Sequence, residues 1–163
     1  MSAGPWVVTT HSPAETEALA ARVAEVLRAG DVVLLAGDLG AGKTVFARGV
    51  GRGLGVAEPV VSPTFTLARV YTGRLAMVHV DVYRLDTVQE LLDLGLDDLA
   101  GDDGVTLVEW GDVVSAEFAP DRREVTLELV AGAPEARRVT VTALGRSWPA
   151  RADLLAAAIG EAP

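Results

Sequence analysis

The 163-residue sequence contains no cysteine, which removes disulfide frameworks, thiol nucleophiles and thiolate metal sites together. Histidine is almost as scarce: with His11 and His79 the only two, no histidine metal cluster is evident. Lysine occurs once, at Lys43, and the other 13 basic side chains are arginine. Against these 14 basic residues stand 23 acidic ones, a formal charge of −9. Such a chain lacks the positive surface from which nucleic-acid binders draw their affinity, so any nucleic acid is expected to be met through a partner. No uncharged apolar run approaches the roughly 20 residues that span a bilayer. The opening ten residues also lack the basic head and apolar run of a signal peptide. These absences predict a soluble cytoplasmic protein with no membrane contact.

What is present suffices for a core, since 50% of residues are apolar. The length fits one domain over residues 1–163, and no repeat, low-complexity tract or linker divides it. The acid surplus is concentrated: from Asp81 to Asp121 there are 12 acids and a single base, Arg84. A solvated helical surface accounts for such a run, as does a set of carboxylates facing a metal or a partner.

Val7 to Thr10 reads as a short strand, and Ser12-Pro13-Ala14-Glu15 is a capping box with proline at the first helical position. Leu19, Val23, Val26 and Leu27 then share a helical face up to Gly30. Asp31 to Ala36 holds the continuous apolar run of a strand buried on both faces. After a glycine-rich loop, Phe46, Val50 and Leu54 form the stripe of a second helix, while Gly49, Gly51, Gly53 and Gly55 permit close packing and end it. Thr66 to Tyr71, Leu75 to Tyr83 and Val105 to Trp110 read as strands, with Thr87 to Leu99 helical between the last two. Along Leu75 to Tyr83, Met77, His79, Asp81 and Tyr83 share one face. Glu124 to Val130 and Arg138 to Ala143 suggest a hairpin, and Ala150 to Ile159 a closing helix. The order predicts an α/β fold, a P-loop NTPase-like three-layer domain with a mainly parallel central sheet and extra antiparallel strands.

The loop is Gly37-Asp-Leu-Gly-Ala-Gly-Lys-Thr44, the phosphate-binding pattern, placed between a buried strand and a helix as that pattern requires. Its glycines let successive N–H groups of Leu39, Gly40, Ala41 and Gly42 converge on phosphate oxygens, and the helix adds its positive end. Lys43 supplies a point charge for the β and γ phosphates, and Thr44 a hydroxyl for Mg²⁺. Phosphate transfer or hydrolysis also needs carboxylates near the cation and the attacking oxygen. Asp81 and Glu109 both stand near the carboxyl ends of predicted strands, where ligands gather in parallel sheets. Ser62-Pro-Thr-Phe-Thr66 is a candidate phosphate-sensing segment. His79 reads as structural support.

The P-loop, Ser62-Pro-Thr-Phe-Thr-Leu67, His79-Val-Asp-Val-Tyr-Arg-Leu85 and Val108-Glu-Trp110, in that order, resemble the TsaE family of bacterial ATPases needed for threonylcarbamoyladenosine modification of tRNA. The resemblance covers about Asp31 to Trp110. It implies ATP binding and slow hydrolysis, with Lys43 and Thr44 as phosphate and Mg²⁺ residues, Glu109 as a second metal contact and Asp81 as a catalytic acid. It implies nucleotide contacts from Thr10 to Ser12 and from an arginine of the late hairpin, Arg137 or, as the preferred assignment, Arg138. It also implies TsaB and TsaD as partners, with TsaD performing the transfer to an adenosine beside the anticodon and tRNA met only through the complex. Asp112 stands where the family often differs and is given no role.

Three other classes compete. A GTPase needs Asn/Thr-Lys-x-Asp for guanine, which a chain whose only lysine is Lys43 cannot contain. A small-molecule or nucleotide kinase would need an acceptor pocket and an arginine-bearing lid, and no convincing lid is evident. A binding module would use ATP without cleaving it.

Overall fold

Val33, Leu34 and Leu35 are all buried, so the apolar run that follows Asp31 packs on both faces of its strand. In a computed structural model of the protein, residues 2–38, 40–62, 68–81, 104–109, 122–145 and 149–160 are described. In chain order they form β1 (Ser2–Thr10), α1 (Pro13–Val26), β2 (Val32–Gly37), α2 (Lys43–Gly53), β3 (Ala68–Tyr71), β4 (Ala76–Asp81), β5 (Gly104–Glu109), β6 (Arg122–Val130), β7 (Ala133–Leu144) and α3 (Ala152–Ile159). The helix expected over 87–99 lies outside the described residues, as does most of the acidic segment.

The seven strands make one sheet in the order β1-β7-β6-β2-β5-β4-β3. Three pairings are parallel, β6 with β2, β2 with β5 and β5 with β4. The other three are antiparallel, β1 with β7, β7 with β6 and β3 with β4. The four central strands β6, β2, β5 and β4 are therefore mutually parallel, with antiparallel strands added at both edges, as expected. The anticipated hairpin forms, β6 pairing antiparallel with β7, and it joins the sheet: β6 lies directly beside β2, and β7 carries β1 on its far side.

One face of this sheet, with Val33, Leu35, Leu107, Val125, Leu127, Val139 and Val141, packs in a single core with Leu19 and Val23 of α1, Phe46 and Val50 of α2, and Leu155 and Ile159 of α3. The other face is also buried along the parallel strands, at Leu34, Val78, Val80 and Val108. The start of α1 is the capping motif that its sequence predicts. Ser12 Oγ accepts from Glu15 N at 3.1 Å, while Glu15 Oε2 reaches back to accept from His11 N at 2.6 Å. Helices α1 and α2 cross closely enough that a Cβ on Gly49 would collide with the Glu17 carbonyl and Ala20, and one on Gly53 with the Ala21 carbonyl and Ala24. Small residues on both helices thus hold the start of α1 near the start of α2.

At the opposite end of β2, Asp31 is buried and receives two arginines. Arg151 donates to its two oxygens at 2.7 and 2.9 Å, Arg123 to one at 3.1 Å, and the Arg28 N–H adds a bond at 2.7 Å. Arg151 also donates to the Val26 carbonyl at 3.2 Å, so the residue preceding α3 is fixed to the end of α1 and the start of β2. Removing one member of such a cluster leaves charge buried without compensation. Asp31→Ala is expected to lower the unfolding free energy by about 3–5 kcal/mol. Chemical denaturation checks this, with Arg123 and Arg151 the groups left exposed to the penalty.

Candidate functional site

The loop between β2 and α2 is closed by its own lysine. Gly37 (φ 153°) and Gly42 (φ 103°) occupy the left-handed region, and a Cβ on Gly37 would lie 2.7 Å from the Leu127 carbonyl of β6. These turns let the chain reverse from strand into helix within a few residues. Lys43, in the first turn of α2 and only 6% exposed, then folds back so that Nζ donates to the Gly37 carbonyl at 2.6 Å and the Asp38 carbonyl at 3.0 Å. The Ala41 N–H donates to the same Asp38 carbonyl at 2.9 Å. The first-turn N–H groups of α2 have no carbonyl one turn before them, which makes this helix end suited to an anion. Leu39 lies outside the described residues.

A second cation braces the loop from β7. Arg137 donates through Nε to the Ala41 carbonyl at 2.9 Å and through Nη2 to the Gly40 carbonyl at 3.3 Å. Its Nη1 donates to the carbonyls of Pro134 and Ala136, both at 2.7 Å. The preferred hairpin arginine, Arg138, is not the one brought to the loop. Strand side chains alternate between faces, and Arg138 is exposed while Arg137 is half-buried against the loop.

Thr44 follows Lys43 and sends its hydroxyl towards β5, where Oγ1 lies 3.4 Å from Glu109 Oε1. The other carboxylate oxygen, Oε2, is 2.6 Å from His79 Nε2 on β4, and both side chains are buried. Asp81, half-buried at the end of β4, is in register with Glu109. The two acids therefore stand side by side at the carboxyl end of the parallel strands, on the face where α2 begins. Thr10 is in register with Arg137, and its hydroxyl meets that of Thr16 at 2.6 Å. Ser12 is engaged as the cap of α1. A pocket of about 30 Å³ between Pro13, Thr16, Gly42, Val45, Glu135 and Arg137 joins that region to the loop. A larger open cleft, about 530 Å³, flanks the loop on the β6 side, with Asp38, Ala41, Thr126 and Glu128 on its walls. Of the phosphate-sensing segment only Ser62 is described; residues 63–66, Trp110 and Asp112 lie outside.

The sequence profile of the family described as "Threonylcarbamoyl adenosine biosynthesis protein TsaE" matches residues 10–139, a span that contains every one of these loop and strand-end residues. The chain belongs to the TsaE family. Among curated relatives, the "tRNA threonylcarbamoyladenosine biosynthesis protein TsaE" of Streptomyces coelicolor is 47% identical over 142 residues, covering 83% of this chain and 95% of that protein. The protein of the same name in Bacillus subtilis is 42% identical, covering 85% and 86%. The crystal structure of Bacillus subtilis YdiB superposes with a TM-score of 0.79 at 33% identity, over 95% of this chain and 96% of that one.

The oxygen pair of this TsaE-family site suits a particular kind of cation. Thr44 Oγ1 and Glu109 Oε1 are hard donors, and no group of three or more acidic or histidine side chains that could hold a metal occurs among the described residues. Two such oxygens fit Mg²⁺, which is held by one or two protein oxygens together with phosphate and water. The Arg137 brace is testable without any ligand. Arg137→Ala is expected to speed exchange of the Ala41 amide by about tenfold, the worth of roughly one charged hydrogen bond. Arg138→Ala should leave that amide unchanged, and hydrogen exchange read residue by residue distinguishes the two.

Proposed function

We propose that this member of the TsaE family is a Mg²⁺-dependent ATPase subunit of tRNA threonylcarbamoyladenosine biosynthesis, acting in the cytoplasm with TsaB and TsaD. The observation that carries the reading is the convergence of Lys43, Thr44 and Glu109 at the first turn of α2, directly behind a loop of phosphate-binding form. Family membership supports the biosynthetic role.

In this reading the Lys43 ammonium exchanges its two loop carbonyls for β and γ phosphate oxygens when the triphosphate arrives. The N–H groups of Gly40, Gly42, Lys43 and Thr44 donate to the remaining phosphate oxygens, joined by that of Ala41 once it leaves the Asp38 carbonyl. Arg137 holds the loop carbonyls away from the ligand, and Thr10 and Ser12 border the nucleotide from the start of α1. Thr44 and Glu109 would hold Mg²⁺, which would supply charge neutralisation for the triphosphate. Asp81, next to Glu109, orients the attacking water. The transfer to adenosine belongs to TsaD, and the ATP cycle of this chain supports turnover of the complex. A charge of −9 accords with tRNA being held by the partners.

Lys43→Ala is expected to abolish Mg²⁺-dependent phosphate release and to weaken ATP binding, measured by equilibrium titration. Asp81→Asn should reduce hydrolysis by about 10²-fold or more while ATP affinity changes little, as for a group acting mainly in the transition state. Equal losses of both would assign Asp81 to binding instead. Multiple-turnover tRNA modification by TsaB and TsaD should be stimulated by adding this protein with ATP, and absence of stimulation would overturn the reading. Transfer of γ-phosphate label to a small molecule would identify a kinase, and stimulation that persists when ATP cannot be cleaved would identify a binding module.

A further inference from the structure

His79 has no part in the proposed ATPase chemistry, yet its ring is completely buried in β4 with Nε2 2.6 Å from Glu109 Oε2. With Glu109 as a carboxylate, which only accepts, Nε2 is the nitrogen that would carry the hydrogen. The other ring nitrogen, Nδ1, has no hydrogen-bond partner among the described residues. The ring's polar function is thus directed at a single group. Burying an imidazole within an apolar sheet for one hydrogen bond is costly unless that bond fixes something.

What it fixes is a carboxylate with two distinct oxygens. A glutamate's terminal torsion is broad, so an untethered Glu109 would sample orientations in which neither oxygen faces Thr44. With Oε2 held by His79, Oε1 is the oxygen presented to Thr44 Oγ1. Both residues sit on interior strands, β4 between β3 and β5, and β5 between β2 and β4, so the tether is anchored on strands paired on both sides. His79 itself is not a metal ligand in this arrangement, because the nitrogen facing the site is already committed to Glu109.

We infer that His79 is a positioning residue for Glu109, holding one carboxylate oxygen so that the other joins the Thr44 hydroxyl in a preformed site for a divalent cation. The inference rests on the metal role proposed for Glu109. A hydrogen-bonding partner behind a metal ligand is commonly worth 10–100-fold in metal affinity.

The test measures Mn²⁺ binding by electron paramagnetic resonance on the full chain loaded with a non-hydrolysable ATP analogue. H79F keeps the ring volume without the N–H, and H79Q restores an amide donor. H79F is expected to weaken Mn²⁺ binding 10–100-fold and H79Q to recover it to within about threefold of the parent protein. Analogue affinity in EDTA should be the same in all three, a split that a merely structural role would not produce. Unchanged Mn²⁺ affinity in H79F overturns the inference. E109Q in parallel separates the two levels: loss in E109Q with none in H79F defeats only the His79 role, whereas no loss in E109Q defeats the metal reading of Glu109 itself. A measurement on the unsubstituted protein covers the case in which the variants fail to fold. With only two histidines in the chain, the long-range proton–nitrogen spectrum should show His79 as the Nε2–H tautomer, shifted when Mg²⁺ joins the bound analogue. The Nδ1–H tautomer would overturn the proposal.

Discussion

A buried ammonium must find oxygen, and around Lys43 the oxygen comes from the loop that the lysine itself terminates. This closure fixes the angle at which α2 leaves β2, which determines where the next residue, Thr44, sends its hydroxyl. Thr44 then meets Glu109, and Glu109 in turn meets His79. A change at the loop is therefore felt at two further strands, because each contact in the series sets the direction of the next.

The strand β2 is held at both ends by charge, but in opposite ways. At its start, Asp31 is an anion enclosed by two guanidinium groups. At its end, two cations are satisfied by neutral carbonyls, Lys43 by Gly37 and Asp38 and Arg137 by Gly40 and Ala41. The first arrangement pairs the buried anion with both cations and fastens α3 to the body of the fold. The second sets two cationic side chains beside a loop whose backbone N–H groups favour an anion. The difference matches the roles assigned to the two ends, one holding the fold together and the other receiving a ligand.

Local pattern made part of this legible. The apolar run of β2, the capping motif of α1, the glycine spacing of the loop and the alternation along β4 each depend on residues close in sequence, and each appears in the structure at or near its expected position. Alternation also placed His79 and Asp81 on one face, but only the β4–β5 register brings His79 to Glu109, 30 residues away. The choice between Arg137 and Arg138 turns on strand parity, which cannot be assigned until the partner of β7 is known. The Asp31 cluster left no local signal, since Arg123 and Arg151 are 92 and 120 residues distant. The strand order was hidden for the same reason: the insertion of β6 beside β2 is a non-local fact.

The position of β2 has a consequence in time as well as in space. Its two neighbours, β5 and β6, begin at Gly104 and Arg122, and β1 waits for β7, which ends at Leu144. During synthesis the phosphate loop therefore leaves the ribosome long before the strands that flank its own, and the exposed edges of β2 are sticky until those strands arrive. Loop closure over such separations is slow compared with forming a local hairpin. The surroundings of this loop are thus completed late in folding, once β5 and β6 have paired with β2 on either side.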